Sequence, residues 1–309
     1  SGEDEYENCN AYVNRGTHSG FLGIYKGKLY TVQKNVTIED FQRGYELIEI
    51  AKDGSKRRKV LSFDFPPRSI ALHRGSVYFV SRDYSKQSEL RYALIKADLK
   101  GGRNPSVIFE GELADGNIQD IIAYKDHLYF METGRNIVRI YRYDILNGTV
   151  SRLFTTDDRI YPSLHGIAGD KLLFSYFYGD IEDPESWVQY TADLDGSHIE
   201  ALPLQRDFIS NVYADGQYIY ARPVWFYLSL EKYAHIPHEL TVYDSQYQVV
   251  DTIDLSGLPL DHQLIVGDQN YIFARWYQDG KEVLQYIDKS KIGSGEKPSL
   301  KTFLESPSF

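Results

Sequence analysis

Cysteine, methionine and tryptophan are scarce in this chain, which has one, one and three of them among 309 residues. The single cysteine, Cys9, excludes an internal disulfide framework and any metal cluster built from cysteines. No apolar run reaches the roughly 20 residues that a membrane-spanning helix needs. Windows rich in Ala, Leu, Glu and Lys at the helical period are also missing. These absences favour a β-rich fold without long helices.

Basic residues are in deficit as well, since 34 Lys and Arg against 44 Asp and Glu give a net charge of −10. A surface of that sign repels a phosphate backbone, so nucleic acid is excluded as a partner. The one basic run, Lys56-Arg57-Arg58-Lys59, closely follows Asp53-Gly54 and is typical of a solvated hairpin tip.

Tyrosine is abundant, with 26 residues beside 15 phenylalanines, and aromatic residues fit a pleated, half-buried strand surface. Many of them recur in a phrase made of an apolar strand, a two-residue turn and a strand with a central aromatic. The six copies are GIYKGKLYTV, ALHRGSVYFV, IAYKDHLYFM, GIAGDKLLFS, VYADGQYIYA and LIVGDQNYIF. The six copies can be aligned on turns such as Lys26-Gly27, which suit tight hairpins. In this alignment the central position of the second strand is occupied by Tyr30, Tyr78, Tyr129, Leu173, Ile219 and Tyr271.

A second phrase follows each copy, an alternating strand that ends in aspartate and a turn. This column holds Ala51, Asp98, Asp144, Asp193, Asp244 and Asp288, so the period is about 47 residues. A fourth strand comes after each turn. Aspartate at a hairpin start accepts hydrogen bonds from turn N–H groups, so we interpret the column as architecture rather than as a metal site.

Four-stranded units of this length, repeated six times, predict an all-β fold: a six-bladed β-propeller of four-stranded antiparallel blades, labelled A to D within each blade. All six units contain their own strand D. The expected domain is residues 20–309, and residues 1–19 remain as a leader, tether or ring-closing segment. The expected blades are 20–67, 68–115, 116–161, 162–208, 209–257 and 258–309.

The paired phrases KLYTV…IAKDGSKRRKVL and KLLFS…TADLDGSHIEAL resemble the YWTD repeats of low-density-lipoprotein-receptor propellers. The leader NCNAYVNRGTHSGFLGIYKGKLY is similar to the opening of bacterial six-bladed propellers of unknown function related to that family. The likeness covers the whole chain, although no blade has a strict Tyr-Trp-Thr-Asp. It implies an extracytoplasmic interaction module.

All three tryptophans fall in or beside the B–C loops of blades 4 to 6, which vary while the A–B and C–D turns are short. Function concentrates on variable loops carried by a rigid scaffold, and an aromatic group rimmed by carboxylates suits a sugar or a peptide. The alternative is that the long blade-5 loop packs its aromatics on itself. The predicted ligand-binding residues are Trp187, Trp225, Phe226, Tyr227, Trp276, Tyr277, Tyr178 and Asp180.

Polar residues near the start of strand A in blades 3 to 6 are expected at the mouth of the central channel, and these are Asp120, His165, Asn211 and His262. Six-bladed lactonases hold a calcium ion and an acid–base pair in that place. His235-x-x-His238 has metal-ligand spacing but no third ligand at a telling distance. We therefore assign no catalytic or metal residues and no cofactor, with a divalent cation such as calcium in the channel as the alternative.

Sialidase boxes, G-x-S-x-G elbows, H-E-x-x-H motifs, phosphate-binding glycine loops and WD40 signatures are all absent. The sequence therefore favours a binding propeller for a glycan, peptide or protein ligand over the alternative, a metal-dependent hydrolase or lactonase at the channel mouth. The acidic opening Ser1-Gly2-Glu3-Asp4-Glu5 resembles the tether that follows the lipidated cysteine of a bacterial surface lipoprotein. We expect an extracytoplasmic, cell-surface location, with a membrane tether through a removed lipidated segment.

Overall fold

The structure is a computed structural model, and it describes residues 22–26, 28–34, 44–51, 56–63, 67, 69–82, 92–113, 116–157, 160–177, 186–204, 210–224, 228–229, 231–260, 262–266, 270–279 and 281–307. The predicted leader, residues 1–19, lies outside this part of the chain. None of the helices within it is long and apolar enough to cross a membrane.

The chain forms six sheets of four consecutive antiparallel strands, which is the predicted six-bladed β-propeller fold. It divides into two compact units, residues 1–164 and 165–309. Every sheet contains the fourth strand of its own repeat, as the sequence predicted.

Blades 1 to 3 lie in the first unit. Their strands are β1 (Leu22–Tyr25), β2 (Lys28–Lys34), β3 (Tyr45–Ile50), β4 (Arg57–Phe63), β5 (Ile70–His73), β6 (Ser76–Arg82), β7 (Tyr92–Asp98), β8 (Ser106–Glu110), β9 (Asn117–Tyr124), β10 (His127–Gly134), β11 (Ile137–Asp144) and β12 (Thr149–Asp157).

Blade 4 begins with β13, and blades 5 and 6 complete the second unit. The strands are β13 (Ile160–Ala168), β14 (Lys171–Phe177), β15 (Trp187–Asp193), β16 (Glu200–Ala201), β17 (Ser210–Ala214), β18 (Ile219–Pro223), β19 (Glu239–Tyr243), β20 (Val249–Asp254), β21 (Gln263–Ile265), β22 (Tyr271–Gln278), β23 (Lys281–Asp288) and β24 (Lys301–Pro307). Short 3₁₀ turns cover Glu231–Tyr233 and Lys289–Lys291.

The aspartate column is architecture. Asp144 Oδ1 accepts hydrogen bonds from the N–H groups of Leu146 and Asn147. Asp244 does the same for Gln246 and Gln248. Such bonds satisfy turn donors that the hairpin leaves without a ladder partner, so the column fixes the C–D turns.

The aromatic column needs a correction in blades 5 and 6. In blade 2, Tyr78 lies two residues after Ser76, the strand partner of Asp98. The same relation selects Phe273 in blade 6, because Tyr271 is the partner of Asp288. In blade 5 it selects Tyr220, because Ile219 pairs with the residue before Asp244. Ile219 and Tyr271 were wrong because four residues separate β17 from β18 and five separate β21 from β22, whereas two residues separate strands A and B in the other blades.

Apolar residues of neighbouring blades pack on one another within each unit. Tyr30 and Phe79 belong to one cluster, and Tyr78 and Phe130 to another. In the second unit, Leu173 packs with Val212 and Ile219, while Tyr220 packs with Leu264 and Ile272. Within each unit, consecutive blades therefore pack face to face, which positions the strand ends where the candidate site lies.

Candidate functional site

Two arginines occupy the same position on the B strands of blades 5 and 6, at the end that leads into the B–C loop. The segments are Ile219-Tyr220-Ala221-Arg222 and Ile272-Phe273-Ala274-Arg275, with each arginine two residues after the corrected aromatic column. An amide faces each arginine across the ladder, Asn211 and Gln263. The equivalent residues of the other blades are Val32, Val80, Met131 and Ser175. The arginines therefore mark a local departure from the repeat.

Arg222 is buried, with 7% of its surface exposed. Both of its hydrogen bonds leave from Nη1, which donates to His262 Nε2 at 2.8 Å and to the His262 carbonyl at 2.9 Å. Among the residues that the structure describes, no carboxylate forms an ion pair with it. Because transferring an uncompensated charge out of water costs several kcal/mol, a buried guanidinium of this kind needs an explanation.

His262 is held as a neutral imidazole. A guanidinium has no acceptor atom, so Nε2 must accept from Arg222, and the ring proton on Nδ1 is donated to the Pro259 carbonyl at 2.7 Å. Burial, and then the Arg222 charge, lower the pKa of His262 to about 3. Burial, followed by Arg222, also lowers the pKa of His238, whose ring lies 5.5 Å from that of His262.

Among the described residues, three of the buried donor groups that have no hydrogen-bond partner lie at the B–C ends of blades 4 and 5. They are Arg222 Nε, the Ser210 hydroxyl and the indole nitrogen of Trp187. Leaving a buried polar atom unpaired costs about 1–3 kcal/mol, and such atoms in native proteins often mark a bound water, ion or ligand. Pairing of Asn211 with Arg222 places Ser210 on the face of blade 5 that packs on blade 4 and Arg222 on the face that packs on blade 6, so acceptor oxygen atoms on both sides of this strand end would satisfy the donors.

The strands hold these donors in place. Ser210 begins β17, and its carbonyl accepts a hydrogen bond of 2.8 Å from Gln189 Nε2 on β15 of the preceding blade. Trp187 begins β15, two residues before Gln189 and therefore on the same face of the strand. Its ring packs on Phe177, its strand partner, at 4.5 Å between centroids. The donors are thus carried by strand ends rather than by the loops.

The second arginine supports an exposed aromatic ring. Arg275 Nη2 donates to the Tyr277 hydroxyl at 2.6 Å, and its guanidinium lies 5.5 Å from the ring centroid. Tyr277 is 53% exposed, whereas Trp276 is only 9% exposed and packs in the apolar cluster with Tyr220 and Ile272. Alternation along β22 explains the difference, since neighbouring residues point to opposite faces.

The predicted aromatic group is therefore divided. The structure places Trp276 in the core, and its predicted role in ligand binding stays a prediction. Trp187 is half-buried and Tyr277 exposed, and their binding roles stay predictions. Trp225, Phe226, Tyr227, Tyr178 and Asp180 lie outside the described residues.

The predicted channel-mouth residues have local partners. Asp120, in the first unit, has a φ of 54° and accepts a 3.0 Å hydrogen bond from the Leu164 N–H. His165 Nε2 lies 2.7 Å from the Ser175 hydroxyl. Asn211 and His262 both border Arg222, which the sequence reasoning missed. The repeated Ile-aromatic-Ala-Arg phrase was the signal that would have revealed it.

No group of three or more His, Cys, Asp or Glu side chains in the described part of the chain could hold a metal ion. His238 turns to His262 and not to His235, which is exposed. The lone pair of His262 Nε2 is occupied by Arg222. The groups described here are therefore arranged to donate hydrogen bonds.

Solved propellers share this fold at low sequence identity. TolB from Acinetobacter baumannii aligns with a TM-score of 0.53 at 16% identity, over 89% of this chain and 65% of TolB. The β-propeller domain of the trilobed protease from Pyrococcus furiosus, which has an open velcro topology, gives 0.53 at 17% identity over 94% and 84%. Acylaminoacyl peptidase from Pyrococcus horikoshii gives 0.56 at 14% identity over 92% and 45%.

This chain thus spans less than two thirds of TolB and less than half of the peptidase. No protein-family model and no curated protein sequence matches it. At 14–17% identity these likenesses show a common fold, and the resemblance to YWTD propellers stays a prediction. What the chain shares with these proteins is the β-propeller fold.

Proposed function

We propose that this chain is a ligand-binding propeller whose ligand, a glycan or peptide, contacts the B–C ends of blades 4 to 6 in an extracytoplasmic setting. The observation that carries the proposal is the set of buried, unpartnered donors at Trp187, Ser210 and Arg222. Strand ends hold these donors in fixed positions, and a preorganised set of donors lowers the entropy cost of binding.

The aromatic environment supports the same surface. Trp187 at blade 4 and Tyr277 at blade 6 present rigid rings at the same ends of their blades. Aromatic side chains give contact area at low entropy cost, and a ring beside polar donors suits the mixed apolar and hydroxylated faces of a sugar. The alternative, a metal-dependent hydrolase with calcium in the channel, has no comparable observation in its favour.

The Ser210 hydroxyl gives the sharpest test, because Ser210→Ala removes an unpartnered donor and little else. Without ligand, we expect the free energy of unfolding to stay level or to rise by about 1 kcal/mol, since no hydrogen bond is lost. Binding to the best member of a glycan and peptide array should weaken about three- to tenfold. Chemical denaturation and titration calorimetry measure the two effects.

Ser69→Ala is the matched control, because the equally buried Ser69 hydroxyl accepts a hydrogen bond from the Ile121 N–H. That variant should lose stability and keep ligand affinity. If Ser210→Ala behaves like Ser69→Ala in both measurements, Ser210 has a structural role and the proposed site is wrong.

A further inference from the structure

We propose that the ligand is an acidic glycan and that a uronate carboxylate binds the Nε–Nη2 edge of Arg222, an inference that rests on the proposed function. The starting point is the direction of the guanidinium. His262 takes both hydrogen bonds from Nη1, so the opposite edge of the fork carries the remaining donors. Two parallel N–H groups on that edge match the two oxygens of a carboxylate.

A comparison with Lys289, another buried cation of this unit, shows what Arg222 lacks. Lys289 is as buried as Arg222, at 8% exposed, but its ammonium forms an ion pair with Asp215 and donates to the Val266 carbonyl at 2.6 Å. Asp215 also accepts from the Tyr220 hydroxyl at 2.5 Å. The fold therefore supplies a carboxylate for Lys289 and none, within the described residues, for Arg222. A ligand carboxylate would complete Arg222.

The histidines beside Arg222 strengthen this choice of charge. Both have pKa values lowered by burial and by Arg222, so the cluster carries the single positive charge of the guanidinium at neutral pH. The protein as a whole has a net charge of −10. A single buried positive charge in an acidic protein favours the binding of one anionic group. It does not produce a general attraction for polyanions.

Donor chemistry favours a glycan over a peptide. Trp187 Nε1, Ser210 Oγ and Arg222 Nε are unpartnered groups at the B–C ends of blades 4 and 5, and each of them can donate. Hydroxyl, ring and carboxylate oxygens of a uronate all accept hydrogen bonds. An extended peptide has as many backbone donors as acceptors, so it would need acceptors from this surface in equal number. The exposed Tyr277 ring, held by Arg275, adds a stacking platform of the kind that sugars use.

The test uses the complete chain and a panel of uronate oligosaccharides, each paired with its carboxyl-reduced neutral counterpart, in titration calorimetry. We expect at least one acidic member to bind more tightly than its reduced partner. Arg222→Gln should weaken that acidic member by about tenfold or more, because a hydrogen bond to a charged group is lost. It should change the affinity of the neutral counterpart by less than about twofold.

Two further variants separate charge from geometry. Arg222→Lys keeps the positive charge but lacks the two parallel N–H groups of the guanidinium edge. Its affinity for the acidic glycan should therefore lie between the affinities of wild type and Arg222→Gln. Arg152→Gln removes a charge from an exposed position on β12 and should bind as wild type does. Circular dichroism and thermal unfolding check that each variant is folded.

The outcomes distinguish the two proposals. If no acidic member exceeds its reduced partner, the carboxylate inference is overturned. If neutral glycans still bind and Ser210→Ala weakens their binding, the proposed function stands without the carboxylate inference. If peptides bind through a free C-terminus that amidation abolishes, and uronates do not bind, the ligand is a peptide and the glycan inference is wrong.

Discussion

His262 shows how one buried side chain makes stability depend on pH. Its folded-state pKa of about 3 lies below the value of about 6.5 expected in the unfolded chain. Between these values the unfolded chain binds a proton that the folded protein does not. Stability is therefore complete above about pH 6.5 and is lost as the pH falls toward 3.

We predict that His262→Gln flattens this dependence. Glutamine keeps an acceptor for Arg222 but cannot be protonated. Wild type should lose about 1.4 kcal/mol per pH unit relative to the variant between pH 6 and 4. Urea denaturation at a series of pH values gives the difference directly. Parallel curves for the two proteins would show that His262 is protonated in the fold and would contradict its assignment as a neutral acceptor.

Arg222 illustrates why a site can hide from inspection of single residues. An arginine in a strand of mixed polarity is unremarkable in sequence, since long basic side chains often reach solvent. Only the fold shows that Asn211 lies across the strand pair from Arg222 and that His262 binds one edge of the guanidinium. It also shows that no carboxylate among the described residues forms an ion pair with Arg222. The unpaired state of a donor is a tertiary property.

At the scale of secondary elements, two consecutive blades of the second unit approach closely at Gly166 on β13. Its φ is 129°, and a Cβ added there would lie 2.2 Å from the Ala214 carbonyl oxygen. Nearby, the Gly216 N–H donates to the Ile167 carbonyl at 2.6 Å. The A strands of blades 4 and 5 are therefore in backbone contact, and only glycine allows it.

Gly166→Ala is accordingly expected to cost about 3 kcal/mol or more, from the clash with backbone and the positive φ together. Gly148→Ala is the control, because Gly148 also has a positive φ, 68°, but faces open space. That variant should lose only about 1 kcal/mol. Thermal and urea unfolding of the two proteins give the comparison, and equal losses would mean that the approach of β13 to β17 can relax.

The strands also explain which sequence predictions succeeded. Hairpins form between neighbouring segments, so a repeat of turns and aromatic strands specified the six sheets. The alignment failed by one and two residues in blades 5 and 6, where the A–B connections are longer. The inward position of Trp276 was missed because Tyr271-Ile272-Phe273-Ala274-Arg275-Trp276 has no apolar–polar alternation to reveal its faces.

At the scale of the whole molecule, the fold and the site have different origins. Local pairing and inter-blade packing repeat in all six blades, and a period in the sequence is enough to reveal them. The site depends on what blades 4 and 5 do differently, at Trp187, Ser210 and Arg222. Such departures are single residues within strands that otherwise follow the repeat. The prediction instead selected residues of the aromatic loops, many of which lie outside the described segments.

The charge of the whole chain makes a last prediction for the acidic glycan. A net charge of −10 repels an anionic ligand at long range, while the contact with Arg222 acts only at short range. The screening length falls from about 30 Å at 0.01 M salt to about 8 Å at 0.15 M. Added salt should therefore weaken the long-range repulsion more than the short-range attraction between the glycan carboxylate and Arg222.

We thus expect the association rate constant of the best acidic glycan to rise between 0.01 and 0.15 M salt, whereas its neutral counterpart should change little. Stopped-flow fluorescence of the tryptophans, or surface plasmon resonance, measures both. A rate that falls with salt would mean that the ligand approaches through a field dominated by basic residues. The buried guanidinium of Arg222 alone does not create such a field in an acidic protein.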